Sequence, residues 1–228
     1  MIVVVPARGG SKRIPHKNIA ALAGRPLLAR TLDQARDAGL LANVVVSTDA
    51  EPIAAVARDC GARVIMRPAD LASDTASTEA ALLHVLDVLA DEGRHDEWIM
   101  TLPPTSPFRE ASTIRAFADA VHDLPAEVDC LMSVTETRGD YWRRLPDGSF
   151  RRLFPDAPRR QQDREPLFEE NSAIYVTRVA ALRDSGIILG RGVEGRPIGW
   201  REALDINTPD DLALAEALLA SGRRPVED

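Results

Sequence analysis

Aromatic side chains are scarce in this 228-residue chain: three Trp, two Tyr and five Phe make up 4% of it. So few rings cannot build a stacking platform for single-stranded nucleic acid. Basic residues are also in deficit, with 28 Lys and Arg against 35 Asp and Glu and a net charge of −7. Such a balance lacks the electrostatic footprint of a general nucleic-acid binder, so none is expected as a partner. Cysteine is limited to Cys60 and Cys130, both in apolar surroundings, which reads as two buried thiols rather than a disulfide or redox pair. No apolar run approaches membrane-spanning length, and Ile2–Val5 reads as a core strand rather than part of a cleaved leader. A cytoplasmic protein with no membrane partner is therefore expected. Internal repeats and low-complexity segments are lacking too.

What is present is a hydrophobic content of 45%, enough for one α/β domain with a full core. The most distinctive stretch is at the start, MIVVVPARGGSKRIPHKN. The β-branched run Ile2–Val5 ends at Pro6, and a loop follows that holds Gly9, Gly10 and Ser11 among Arg8, Lys12, Arg13, His16 and Lys17. Glycine lets backbone N–H groups come close to a ligand, and Lys and Arg supply charge-assisted hydrogen bonds. The loop is thus either an ordinary solvated loop or a cradle for a small phosphate-bearing anion. Its place directly after a strand, in an otherwise acidic chain, favours the cradle. The spacing matches neither the Walker loop nor the G-x-G-x-x-G fingerprint.

Further strands are predicted at 43–47, 62–66, 97–102, 129–134, 173–177 and 198–201. Helices are predicted at 26–38, 51–60, about 73–91, 110–123, 178–185 and 210–220. Ser73 or Asp74 is the expected cap of the third helix; Thr208 caps the last, with Pro209 in its first turn. Alternating strands and helices imply a mostly parallel sheet with helices on both faces. Ligands of such sheets bind at the C-terminal ends of strands, where Arg8–Asn18, Thr48-Asp49, Arg67 and Thr105-Ser106 fall. The alternation breaks over 135–168, which is rich in Arg and Pro, has a Pro146-Asp147-Gly148 turn and holds Tyr141, Trp142, Phe150, Phe154 and Phe168. This stretch reads as an inserted arm of antiparallel strands and loop. The main domain is then 1–134 with 169–228, and the exposed aromatics suit a homodimer surface.

The segments PARGGSKRIPHKN at 6–18, VSTD at 46–49, RPADLASDTAST at 67–78, LPPTSPFR at 102–109, RRQQD at 159–163, ENSAIYV at 170–176 and ALDINTPDDL at 203–212 resemble, in order, those of the acylneuraminate cytidylyltransferases. That family joins CTP to a nonulosonic acid on a Rossmann-like nucleotidyltransferase sheet with a dimerisation insertion, using Mg²⁺. The resemblance implies catalytic roles for Arg8, Lys12 and Lys17. It implies a nucleotide site of Ala7, Arg8, Gly9, Gly10, Ser11, Lys12, Asn18, Arg67, Ala76 and Thr78. On the acceptor side it implies Pro103, Thr105, Ser106, Arg160, Gln161 and Tyr175, with Asp205 and Asn207 at the metal. The chemistry suits these types: Lys, Arg and backbone N–H groups offset charge building on a phosphate chain, and a carboxylate is a hard ligand for Mg²⁺. An arginine such as Arg160 can pair an acidic acceptor's carboxylate.

Three positions depart from the family. Pro103 stands where it commonly has Gln, Ser172 where it has Gly, and Asn207 where it has Asp. The nucleotide side is intact, so CTP is the expected donor. The acceptor is left as a nonulosonic acid or another acidic group, of phosphonate or KDO type. A CTP-binding protein without turnover is the non-catalytic alternative. A glycosyltransferase would want a mid-chain Asp-x-Asp after a strand, which is lacking.

Overall fold

The computed structural model of the chain describes residues 1–73 and 75–222. In chain order the elements are β1 (Ile2–Pro6), β2 (Ala21–Leu22), β3 (Arg25–Pro26), α1 (Leu27–Asp37), β4 (Val44–Thr48), α2 (Glu51–Asp59), β5 (Arg63–Met66), α3 (Thr78–Asp91), β6 (Trp98–Thr101), α4 (Ala111–Ala120), β7 (Cys130–Thr137), β8 (Trp142–Arg144), β9 (Phe150–Arg152), β10 (Leu167–Arg178), α5 (Val179–Ser185), β11 (Val193–Pro197) and α6 (Pro209–Ala220). A seven-stranded sheet runs β11-β7-β10-β6-β1-β4-β5. Strand β1 lies parallel between β4 and β6, and β10 is antiparallel to both β6 and β7.

The period of two along β1 explains the layers. Val3 and Val5 face one core with Leu28 and Leu32 of α1, Ile53 of α2, and Ile114 and Phe117 of α4. Ile2 and Val4 face the other, with Leu82 and Val85 of α3 and Leu182 of α5. Each of these strand residues is essentially fully buried, worth roughly 1.5–3 kcal/mol per side chain. A third, smaller cluster joins Ile14, Leu22, Leu27, Ile206 and Ala215. It seats the loop after β1 against the segment that leads into α6. Among the described residues no helix is long and apolar enough to cross a membrane.

Three sequence expectations need correction. The late strand lies at Val193–Pro197, not at 198–201. It is an edge strand beside β7 in which Gly195 packs on Val134, so it has no apolar run to signal it. Ile198 still donates to Val134 O at 3.0 Å, and the chain then turns. The cap of α3 is Ser77, whose hydroxyl accepts from the Ala80 amide at 3.1 Å; Ser73 is not its cap, and Asp74 lies outside the described residues. Both thiols are free, but only Cys130 is buried: Cys60, at the C-terminal end of α2, is partly exposed.

The stretch around 135–168 is flanked by a longer ladder than the sequence pattern suggests. Strand β7 runs on to Thr137 and pairs with β10 from Leu167, with a bulge between Glu170 and Tyr175. Between them β8 and β9 form a separate two-stranded hairpin closed by the Pro146-Asp147-Gly148 turn, with Gly148 donating to Leu145 O at 3.0 Å.

Candidate active site

The loop after β1 is held from two sides. The buried Ala7 donates to Ser47 O at 2.9 Å, extending the β1–β4 pairing past Pro6. The Gly9 amide donates to Asp49 Oδ1 at 2.8 Å, and a Cβ on Gly9 would come within 2.7 Å of Ala50 Cβ. Gly9 is therefore needed for close approach to the end of β4, and its N–H already has a partner. Gly10 meets nothing within 4 Å and faces open space. From the other side, the buried Asn18 donates through Nδ2 to Arg8 O at 2.9 Å.

Two adjoining clefts open at these strand ends. A cleft of about 360 Å³ has Arg67, Ala76 and Thr78 on one wall and Pro103 and Thr105 on the other. A second, of about 290 Å³, is lined by Gly10, Ser11, Lys12, Arg13, Lys17 and Asn207. Arg8 and Asn18 line both. Arg67 is fixed by its own backbone, which donates to Thr48 O at 2.8 Å, and by its guanidinium, which donates to Ser47 O at 2.6 Å. Its Nε is buried without a partner, and burial holds the guanidinium below its ordinary pKa, against the pull of Asp49.

The second cleft brings together residues remote in sequence. Lys17 Nζ donates to Ile206 O at 3.0 Å and to Asn207 Oδ1 at 3.2 Å. Burial lowers its pKa below the ordinary lysine value; Asp205 opposes this, while Arg13 and Arg8 add to it. Asn207 Nδ2 in turn donates to Asp205 Oδ2. The other carboxylate oxygen, Asp205 Oδ1, is buried and has no partner. This segment is rigid by construction: Ile206 donates to Thr105 O at 2.9 Å, and the amides of Asn207 and Thr208 both donate to Asp211 Oδ2. Thr208 and Asp211 form the capping box of α6.

Not every expected residue meets there. Arg160 and Gln161 are exposed and line neither cleft. Tyr175 is buried on β10 opposite Thr101, with its hydroxyl donating to Glu170 and accepting from Ser172 Oγ at 3.1 Å; burial, then Glu170, push its pKa up. Ser106 is buried with its hydroxyl unpartnered. Two residues had no role assigned from sequence. Asp49 anchors the loop, and its only signal was its position at a strand end. Arg109 is fully buried, donating to Gln34 Oε1, Ala173 O and Thr31 Oγ1, and burial brings its pKa down to about 9. It ties the 103–109 segment to α1 and β10. Nothing in an arginine after Pro-Phe distinguishes such a pin from a solvated side chain.

Residues 2–144 match the family described as Cytidylyltransferase. The CMP-N,N'-diacetyllegionaminic acid synthase of Legionella pneumophila is 32% identical over 227 residues, with 96% of each chain covered. The N-acylneuraminate cytidylyltransferase of Escherichia coli O18:K1:H7 is 31% identical over 94% of this chain, which spans only 51% of that relative's length. Among solved structures, a CMP:2-keto-3-deoxy-manno-octonic acid synthetase complexed with CTP superposes with a TM-score of 0.66 at 18% identity, covering 97% of this chain and 99% of the other. The 2-C-methyl-D-erythritol 4-phosphate cytidylyltransferase of Thermus thermophilus gives 0.62 at 20% identity, covering 96% and 98%. The two structures share the fold. Together with the strand-end clefts and the basic loop, the sequence matches establish that the chain belongs to the cytidylyltransferase family, in its acylneuraminate cytidylyltransferase branch.

Proposed function

We propose that this chain transfers CMP from CTP to a nonulosonic (sialic-type) acid, releasing pyrophosphate, with Mg²⁺ as the metal. The observation that carries this is the sharing of Arg8 and Asn18 between the two clefts, which sets a nucleoside-sized space beside a cationic one. In this reading the wall of Arg67, Ala76 and Thr78 takes the cytidine. Ser11, Lys12, Arg8 and the free side of Gly10 take the triphosphate. The acceptor hydroxyl attacks the α-phosphorus, the bond from that phosphorus to the α–β bridging oxygen breaks so that this oxygen leaves on pyrophosphate, and the hydroxyl proton passes to solvent water. Negative charge grows on the α-phosphate oxygens and on the departing pyrophosphate, and Lys17 and Arg8 stabilise it there.

The residues present fit a small divalent cation, because Asp205 Oδ1 is a hard oxygen, buried and lacking any partner. Asp205 would hold it, with Asn207 beside it, and a bound Mg²⁺ supplies further neutralisation of phosphate charge. Thr105, Ser106, Arg160, Gln161 and Tyr175 keep the acceptor side in this reading, with Pro103 as a non-bonding wall. The exposed Trp142 and Phe150, 50% and 63% accessible, support a homodimer through the arm at 135–168. A cytoplasmic location belongs to the same reading, since CTP is supplied there.

The deciding experiment is pyrophosphate release from CTP and Mg²⁺ across a panel of acceptors. Release with N-acetylneuraminate, legionaminate or pseudaminate is expected. Release only with KDO or a hydroxylated phosphonate would replace the acceptor. CTP binding without release from any acceptor would favour the non-catalytic alternative. Sedimentation of the protein and of a Trp142→Asp, Phe150→Asp variant tests the dimer, which the double substitution should dissociate.

A further inference from the structure

Asn207 sits between a group that can only donate and a group that can only accept. The Lys17 ammonium donates to its Oδ1 at 3.2 Å, and its own Nδ2 donates to Asp205 Oδ2. An ammonium has no acceptor and an ionised carboxylate no donor, so these bonds also decide which way round the amide stands. An aspartate here could accept from Lys17 but not donate to Asp205; an aliphatic side chain could do neither. The bond gives Asp205 a direction: Oδ2 is taken by the amide, while Oδ1 stays buried and unpartnered.

The placement of Asn207 is set by its surroundings. Its amide N–H donates to Asp211 Oδ2 at 2.9 Å, and the neighbouring Ile206 is locked into the cluster with Ile14 and Leu22. The cleft it lines is otherwise cationic, with Arg8, Lys12, Arg13 and Lys17. Among the described residues, no group of three or more His, Cys, Asp or Glu side chains stands ready to hold a metal.

We propose that Asn207 is a positioning residue that makes cation binding conditional on nucleotide. It holds Lys17 and Asp205 in register, leaves one carboxylate oxygen behind the cleft wall without a partner, and keeps a second negative charge out of the cleft. One carboxylate oxygen next to the Lys17–Asn207 pair is a poor cation site, and phosphate oxygens must supply the remaining hard ligands. An aspartate at 207 would remove the amide bond, set two carboxylates side by side and draw in a dication to relieve their repulsion. The inference rests on the cytidylyltransferase reading for the identity of the triphosphate.

The test uses the full chain and its Asn207→Asp variant, with Mn²⁺ as the probe. Free Mn²⁺ is followed by electron paramagnetic resonance, with and without a non-hydrolysable CTP analogue. The parent is expected to bind Mn²⁺ about tenfold more tightly with the analogue than without it, and Asn207→Asp to gain about tenfold without nucleotide. A nucleotide-free gain below roughly threefold in Asn207→Asp, or below roughly threefold between the parent's two conditions, overturns the proposal, since ligand charge count sets such affinities. If Asn207→Asp fails to fold, the parent's own contrast decides. Metal-free calorimetry of the analogue separates the two readings: no binding there sinks the cytidylyltransferase reading, whereas the nucleotide-free Mn²⁺ arm judges Asn207 alone.

Discussion

The Asp49 carboxylate, at the end of β4, accepts the Gly9 amide at 2.8 Å and so holds the basic loop against the sheet. A bond to a charged acceptor is worth roughly 1.5–3 kcal/mol. Asp49→Ala should therefore lower kcat/KM for CTP by about 10- to 100-fold, and Asp49→Asn, which keeps an acceptor oxygen, by less. The glycines should behave differently. Gly9→Ala meets Ala50 Cβ at 2.7 Å and should lower both the melting temperature and activity, whereas Gly10→Ala meets no protein atom within 4 Å and should leave the melting temperature alone. Pyrophosphate release at varied CTP, with thermal unfolding of each variant, checks all four.

Lys17 bonds Ile206 O and Asn207 Oδ1 while lining the cationic cleft. If its charge acts where negative charge develops, Lys17→Ala should reduce kcat by about 100- to 1,000-fold while the affinity for CTP changes only a few-fold. Single-turnover rates and direct CTP titration separate the two quantities. Equal losses in both would make Lys17 a ground-state binding group.

Ser172 occupies the left-handed region at φ 59°, at the bulge in β10. A non-glycine residue there costs on the order of 1–2 kcal/mol, which glycine would relieve. Glycine would also lose the Ser172 Oγ bond to Tyr175 and gain freedom in the unfolded chain, each worth roughly 0.5–1.5 kcal/mol. The terms nearly cancel, so Ser172→Gly should stay within about 1 kcal/mol of the parent. Ser172→Val, β-branched in a region closed to it, should lose roughly 2–3 kcal/mol. Urea denaturation measures both.

Cys130 is buried on β7, and burial pushes its thiol up to about 11 from an ordinary 9.0. The unfolded chain then releases this proton first. The stabilisation is fully present below pH 9 and lost as pH rises towards 11, a change of roughly 2–3 kcal/mol. Denaturation midpoints from pH 8 to 11 should fall more steeply for the parent than for Cys130→Ala. At pH 8, a thiol reagent should modify the partly exposed Cys60 before Cys130.

Much of the fold was legible because its signals are local. The β-branched run of β1 and the Thr208-Pro209 entry to α6 each act through their own backbone, and each lies where the sequence pattern indicates. Strand β11 was illegible for the opposite reason. Val193–Pro197 contains Gly and Pro and buries little, and only its pairing with β7 makes it a strand. Arg109 was hidden likewise, since its three partners come from α1 and the segment at Ala173.

For the site, the amino-acid sequence by itself determined the residue types: a glycine-bearing loop with Arg8, Lys12 and Lys17, and an Asp205-Ile206-Asn207 segment far along the chain. Tertiary structure alone decided that these meet. The Ile14–Ile206 cluster closes a loop of nearly the whole chain, and no local propensity encodes such a contact. It also decided what each polar atom does once there. Gly9 N–H is given to Asp49, Asn207 stands between Lys17 and Asp205, and Asp205 Oδ1 is left without a partner, because hydrogen bonds depend on distance and direction in space.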